Sequence, residues 1–271
     1  PERGAYSTSR KVSIMTQSQR REFLIHYLLQ ERQEYTGVSL PAGEMEQRRL
    51  LRSLMNLRPP APTSGEFLRV QDEYLRERLE ERGVTQLEEL TPVQPGLYLW
   101  QGDITTLGVD AIVNAANSGM TGCYVPCHGC IDNAIHTFAG IQLRLECAGL
   151  MEKQGFPEPT GQGKITKAYN LPCRYVLHTV GPIVQGPLTR EQERQLASCY
   201  RSCLDLAGEN HCKSLAFCCI STGEFHFPNQ RAAEIAVETV KAWQAQYPGE
   251  LEVVFNVFKD SDREIYEKLL D

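Results

Sequence analysis

The spacing of apolar positions changes character near Pro95. From Gln17 to Gln33, Phe23, Leu24, Tyr27 and Leu28 recur three to four apart, which gathers them on one helical face. The same spacing predicts a second helix over Glu44–Leu57, with Met45, Leu50, Leu51, Leu54 and Met55 as its buried stripe. Pro59-Pro60-Ala61-Pro62 ends it. A third helix is predicted over Gly65–Glu81, burying Phe67, Leu68, Leu75 and Leu79, with Gly83 at its C-terminal cap. Beyond Pro95-Gly96, short apolar runs alternate with helical stretches. Leu97–Trp100, Ala111–Val113, Ile165–Tyr169, Tyr175–Val180, Leu215–Ile220 and Leu251–Val257 read as strands. Asn133–Cys147, Thr189–Ala207, Gln230–Tyr247 and Asp262–Leu270 read as helices. That alternation predicts an α/β fold, a largely parallel sheet covered on both faces. Such sheets bind ligands at the C-terminal ends of their strands. The chain therefore divides into a polar tail (1–16), a helical extension (17–90) and a main domain (91–271).

Composition narrows the class. With 41% hydrophobic and 23% charged residues over 271 positions, the chain is an ordinary soluble globular protein. Its 28 basic and 34 acidic side chains exclude a strongly basic nucleic-acid binder. Residues 1–90 carry 14 of each sign, so the net charge of −6 arises in the main domain. An anionic ligand must then be held by local N–H groups, a helix dipole or a metal, not by the overall field. No apolar run is long enough to span a membrane, and no secretory core stands near the start. The basic, Ser/Thr-rich stretch from Arg3 to Arg21 sets an organellar transit peptide against the cytoplasmic reading. All ten cysteines lie between Cys123 and Cys219. Without a signal segment they point to a reducing compartment, as buried thiols or metal ligands.

Four segments follow strands closely enough to carry chemistry. Asp103, in Gln101-Gly102-Asp103-Ile104-Thr105, either accepts from an exocyclic amine or caps the next turn. Asn117, in Asn114-Ala115-Ala116-Asn117-Ser118, either holds sugar hydroxyls or closes a turn. Ser221 to Phe225 form a small-residue turn whose N–H groups suit a phosphate. Phe255-Asn256-Val257-Phe258 ends the last strand. Between the second segment and the following helix, Cys123, Cys127, His128 and Cys130 fall within eight residues. Thiolate and imidazole are preferred zinc ligands, and so short a loop closes at low entropic cost. His136 and His178 read as packed structural histidines, His211 as a cap or surface residue, and His226 as a neighbour of the phosphate turn. The other seven cysteines read as small buried hydrophobes. Cys218 and Cys219, adjacent in a predicted strand, point to opposite faces.

Taken together, QGDIT (Gln101–Thr105), VDAIVNAAN (Val109–Asn117), AIHTFAG (Ala134–Gly140), LPCRYVLHTVGP (Leu171–Pro182) and ISTGEFHFP (Ile220–Pro228) resemble the macrodomain family, whose members bind ADP-ribose. The resemblance covers about Leu97 to Leu270 and implies a three-layer α/β/α fold with a mixed central sheet. It implies that Asp103 and Ile104 contact adenine, with Phe258 packing on the adenine or its ribose and Asn256 nearby. Asn117 would contact the distal ribose, and Ser221, Thr222, Gly223, Glu224 and Phe225 would wrap the diphosphate. The loop departs from the glycine run of common macrodomain hydrolases and resembles the zinc-containing branch, with Gly-Cys, four residues, His, one residue and Cys-Ile-Asp-Asn. That pattern selects Cys123, His128 and Cys130 as ligands of one zinc ion, with Cys127 a bystander. The branch also carries an N-terminal helical extension.

Three protein ligands leave an open position, as in catalytic zinc sites; a fourth from Cys127 would make the site a closed staple. Asp132 would orient water or the metal-bound group, and could also cap the next helix; Asn133 would help position the ribose. The implied activity is zinc-dependent removal of mono-ADP-ribose from modified protein side chains, through an O-linked ester to Asp or Glu. A sirtuin-like ADP-ribosyltransferase and a lipoyl-carrier protein are the implied partners, with no nucleic acid and no membrane. The rivals are a non-catalytic ADP-ribose reader and a hydrolase of O-acetyl-ADP-ribose or ADP-ribose 1″-phosphate. The loop differs from that of poly-ADP-ribose glycohydrolases, which argues against that polymer as substrate.

Overall fold

A computed structural model describes residues 14–271. The tail and transit-peptide readings fall largely outside the described residues. Three helices come first, α1 (Gln17–Gln30), α2 (Glu44–Leu57) and α3 (Gly65–Arg82). Thr16 and Ser64 cap α1 and α3 by accepting from Gln19 and Phe67 backbone N–H groups that have no intrahelical partner. The three helices close their own small core, with Leu24, Ile25, Leu28, Leu51, Leu54, Met55, Phe67, Val70, Tyr74 and Leu75 buried. Two expectations shift here. Met45 is 71% exposed rather than part of the stripe, because it sits on the first turn of α2 and lines an open cleft. Leu68 and Leu79 are half-buried, their inward places taken by Val70 and Tyr74.

The main domain follows as β1 (Thr85–Gln86), β2 (Leu97–Gln101), β3 (Leu107–Gly108), β4 (Ala111–Ala115), α4 (Ile131–Ala139), α5 (Ile141–Gln154), β5 (Gly163–Lys167) and β6 (Tyr175–Thr179). It ends with α6 (Arg190–Glu209), β7 (Ser214–Phe217), α7 (Asn229–Gln246), β8 (Glu252–Val257) and α8 (Asp260–Leu269). Its sheet runs in the order β2-β8-β7-β4-β6-β5. Every pairing is parallel except β5 with β6, so the sheet is mixed, with one antiparallel edge. Helices α4 and α5 pack on β4 and β5, α6 on β5 and β6, and α8 on β2 and β8. The inner strands β4 and β7 are buried at nearly every position, which explains why their apolar runs do not alternate.

The helix predicted over Asn133–Cys147 is two helices. Gly140 adopts φ +105°, and a Cβ there would meet Gln142, Gln71 and Asn170 side chains, so the backbone turns where the apolar pattern runs on. The strand predicted over Leu215–Ile220 stops at Phe217, which leaves Cys218 and Cys219 in the loop beyond it rather than alternating in a strand. A parallel pair, Thr85 with Leu107 and Gln86 with Gly108, lies between extension and main domain.

The extension completes the main domain's hydrogen bonding. Gln71 on α3 is fully buried; its Oε1 accepts from Ile141 N at the start of α5, where no local side chain caps the helix. Asp72 accepts from Asn170 at 2.7 Å, and the Arg82 guanidinium stacks 3.7 Å over the Phe138 ring. No described helix is long and apolar enough to cross a membrane.

Candidate functional site

Two loops at the C-terminal ends of the parallel strands flank one cavity. The first, after β4, runs from Asn117 to Cys130. Asn117 is exposed and closes its first turn, accepting from Gly119 N at 3.0 Å and donating to Gly122 O at 3.2 Å. Further along, the ligand atoms of Cys123, His128 and Cys130 all lie within 4.8 Å of one another. All three residues are half-buried. Cys127 lies outside that cluster. Its backbone has φ +55°, its thiol sits 3.3 Å from Ser53 Oγ and its N–H donates to Asn56, so it faces the extension.

The donor set fits a zinc ion. Two sulfurs and one imidazole match zinc's preferences, and the buried Nδ1 of His128 has no hydrogen-bond partner. Burial pushes the Cys130 thiol up to about 12, with Cys123 and Asp132 adding to the rise. Cys130 Sγ also accepts from Asn133 N at 3.4 Å and is the N-cap of α4. Asp132, expected to share that capping role, sits inside the first turn instead.

Asp132 and Asn133 face inward. Asp132 is 5% exposed and accepts from Asn114 at 2.8 Å. Burial raises its carboxyl to about 6, while the Asn114 bond and the Arg144 charge hold it down. Asn133 has no exposure: its Oδ1 accepts from Arg52, and its Nδ2 donates to Asn56 Oδ1 and Val125 O. Every polar atom of that amide ties the loop to α2. In this structure the Asn133 amide is engaged by α2 and by the loop's own Val125 carbonyl.

The second loop is the phosphate turn, along a cavity of about 260 Å³ lined by Ser221 to Phe225, Ala115, Ile131, Asn256, Phe258 and Lys259. Ser221 adopts φ +66°, and its buried Oγ has no partner. A Cβ at Gly181 would lie 1.9 Å from that oxygen, so a larger residue there would displace the Ser221 side chain. Phe258 is 79% exposed, an uncovered ring beside the cavity. Asn256 also lines it, while its Nδ2 donates to Gly102 O at 3.0 Å and holds the end of β2. Asp103 performs the bland alternative: it caps the following turn, accepting from Thr105 N at 2.9 Å, and pairs with Arg82 at 3.1 Å. It remains exposed, whereas Ile104 is 1% exposed, backbone included. Lys259, a cation on the cavity wall, carried no signal in the sequence beyond following Phe258. The exposed His226 lies in the same turn with φ +58°.

The sequence and the fold match known proteins. The Macro domain family model matches residues 113–236. A Treponema medium protein named protein-ADP-ribose hydrolase is 61% identical over 260 residues, 94% of this chain and all of that one. The chain belongs to the macrodomain family. A Staphylococcus aureus protein-ADP-ribose hydrolase is 45% identical over 94% of this macrodomain and 97% of its own length. The crystal structure of the Trypanosoma brucei macrodomain in complex with ADP-ribose is similar at a TM-score of 0.63, with 33% identity. That match covers 81% of this chain and 95% of the other.

Beneath the site the macrodomain buries a polar cluster of His136, Cys147 and His178. Asn114 Nδ2 donates to Asp132 and lies 3.1 Å from His178 Nδ1, which makes that nitrogen an acceptor. His178 Nε2–H then donates to Thr166 Oγ1 at 2.9 Å. Burial lowers His178 to about 4 and holds His136 well below its ordinary value. Both histidines are packed, as expected. A histidine lowered on folding contributes stability above its unfolded value near 6.5, and that contribution fades as pH falls toward 4. His178 alone should cost about 2 kcal/mol by pH 5. Thermal midpoints at pH 7.5 and 5 should differ, and His178→Gln should narrow the gap. A gap of the same size in that variant would sink the assignment.

Proposed function

We propose that the chain is a zinc-dependent hydrolase that removes mono-ADP-ribose from modified protein side chains, through the ester oxygen of Asp or Glu. What carries this reading is the donor cluster of Cys123, His128 and Cys130 in the loop that follows Asn117. The Treponema and Staphylococcus relatives, which the chain matches almost end to end, supply the hydrolase activity. A reader without turnover needs the phosphate turn and the exposed ring, but has no use for two thiols and an imidazole brought together at the cleft.

The residues divide the work. Backbone N–H groups of Ser221 to Phe225, with the free Oγ of Ser221 and the Lys259 ammonium, hold the diphosphate. Phe258 stacks on the adenine or its ribose, with the exposed Asp103 beside the base. Asn117 holds hydroxyls of the distal ribose. Cys123, His128 and Cys130 would hold the zinc ion, three protein donors where closed structural sites use four. When bound, the ion acts as a Lewis acid toward an oxygen at the ribose. Hydrolysis consumes one water, frees the carboxyl group and releases ADP-ribose. Asp132, buried against Asn114, shapes the floor beneath that end rather than touching substrate. A sirtuin-like transferase as the source of the modification and a lipoyl-carrier protein as its bearer belong to this proposal.

The test measures zinc by mass spectrometry and ADP-ribose release from an Asp/Glu-modified protein, with and without chelator. One zinc per chain is expected. Stripping it should reduce turnover at least about hundredfold, with recovery on zinc addition. Unchanged turnover in verified metal-free protein overturns the zinc requirement. ADP-ribose binding without turnover on any linkage establishes the reader.

A further inference from the structure

The loop after β4 stands between two cavities. Ile131, where the loop enters α4, lines the cavity of the phosphate turn, whereas Cys127 lines a larger one of about 540 Å³ between α2, α3 and α4. The nucleotide site makes no use of this second cavity. Its wall is cationic beside apolar surface: Arg48, Arg49, Arg52 and Arg78 line it, with the 71% exposed Met45 and the half-buried Phe138. Arg48 and Arg78 are paired with Glu44 and Glu81. The other two are not neutralised. Arg52 Nε and Nη2 both donate to the uncharged Asn133 Oδ1. Arg49 is exposed and has no ion pair among the described residues. Glu46, the acid on the same wall, turns back toward the start of α2, where a Cβ on Gly43 would meet its Oε2 at 2.0 Å. Methionine, aromatic rings and arginine are the side chains enriched where one protein meets another.

We propose that this cleft holds an acidic segment of the protein that carries the ADP-ribose. Its carboxylates pair with Arg49 and Arg52, and an apolar side chain lies against Met45 and Phe138. This rests on the hydrolase reading. With the nucleotide on the phosphate turn and the bond to be cut at the loop, the extension side is left to the polypeptide. A nucleic acid fits less well, because a continuous polyanion would also meet Glu44 and Glu81, which already hold Arg48 and Arg78. The helical extension thereby takes part in choosing the substrate.

Two peptides of equal length test this, each carrying ADP-ribose on one glutamate, one flanked by Asp and Glu and the other by Ser and Gln. At low salt, kcat/KM should favour the acidic peptide about tenfold or more, and the preference should fade as NaCl screens it. Arg49→Glu, and separately Met45→Glu, should remove most of that preference through KM. Turnover of the neutral peptide should change less than about twofold. Both positions are exposed, and a carboxylate at Met45 lies in the first turn of α2, where the helix dipole favours it. Equal turnover of the two peptides by wild type, a preference that survives both variants, or equal losses on both peptides overturns the proposal. Binding of the unmodified acidic peptide, labelled and read by fluorescence anisotropy, needs no chemistry. It should weaken about tenfold in Arg49→Glu. Identical curves overturn the cleft, and so does a single-stranded RNA that displaces the peptide at equal or lower concentration. Failure to release ADP-ribose from either peptide overturns the hydrolase reading, and anisotropy then decides the cleft by itself.

Discussion

Replacing Cys130 by serine is expected to lower ADP-ribose release about a thousandfold while the fold survives. Two roles meet at this residue, and serine separates them. As N-cap, Cys130 Sγ accepts from Asn133 N at the start of α4. Serine is among the preferred N-caps, so that hydrogen bond persists and strengthens. As metal donor, a hydroxyl is far inferior to a thiolate toward zinc, and two remaining donors hold the ion weakly. The loss should therefore fall on turnover, about 4 kcal/mol of transition-state stabilisation. Because the phosphate turn and Phe258 stand on other elements, ADP-ribose affinity should change less than threefold. Zinc content, thermal midpoint, ligand affinity and single-turnover release are the measurements. Full activity in Cys130→Ser with zinc absent would remove the ion from the mechanism. A collapse of the thermal midpoint would mean that the thiol is chiefly structural.

The same loop marks where the sequence was legible. The run Ala111–Val113 reads as a strand followed by polar residues, and it opens β4 (Ala111–Ala115), with Asn117 exposed just beyond its end. A two-period or 3.6-period pattern reports which side faces a core, and the extension and the main domain each bury their own cluster. Cys123, His128 and Cys130 converge because the loop is short. The direction of Asn133 was not legible. Asp132 and Asn133 are adjacent on a helix, so their side chains leave the axis about 100° apart and cannot share one target. Asp132 meets Asn114 beneath the sheet end, and Asn133 meets Arg52 and Asn56 on α2. Choosing between those directions requires knowing where the extension docks, which is a contact 77 to 81 residues away. Gly140 failed for a related reason: apolar spacing continues through it, and only its neighbours Gln71 and Asn170 reveal the turn.

Removing the Arg144 guanidinium is expected to destabilise the protein by about 3–5 kcal/mol. In sequence, Arg144 is one more charge within the stretch Asn133–Cys147, and nothing there singles it out. In the fold it is 5% exposed and sits where three segments meet. Its Nε donates to Thr121 O at 2.7 Å and its Nη2 to Cys123 O at 3.1 Å, both in the loop after β4. Its Nη1 reaches Asn56 O and Arg58 O at 2.7 Å each, at the end of α2. The plane also stacks 3.9 Å over the Tyr124 ring. Helix-end carbonyls have no intrahelical partner, and here one arginine satisfies them together with the loop. Burial lowers its basicity, yet an arginine remains cationic and donates through all its N–H groups. Arg144→Met keeps much of the stem's packing and abandons those carbonyls in a buried setting, each worth about 1–3 kcal/mol when left unpaired. Water entering the vacated space recovers part of this, which sets the net figure. For a chain of this size that corresponds to a thermal midpoint lower by about 10 °C. Arg144→Lys should recover little, because one ammonium cannot span acceptors on both segments. Since Cys123 loses the bond that fixes its carbonyl, zinc should also exchange faster in Arg144→Met at temperatures where the fold is intact. A midpoint within 2 °C of wild type, with zinc exchange unchanged, would mean that the extension and the loop are held together by their other contacts, Asn133 with Arg52 and Asn56 foremost.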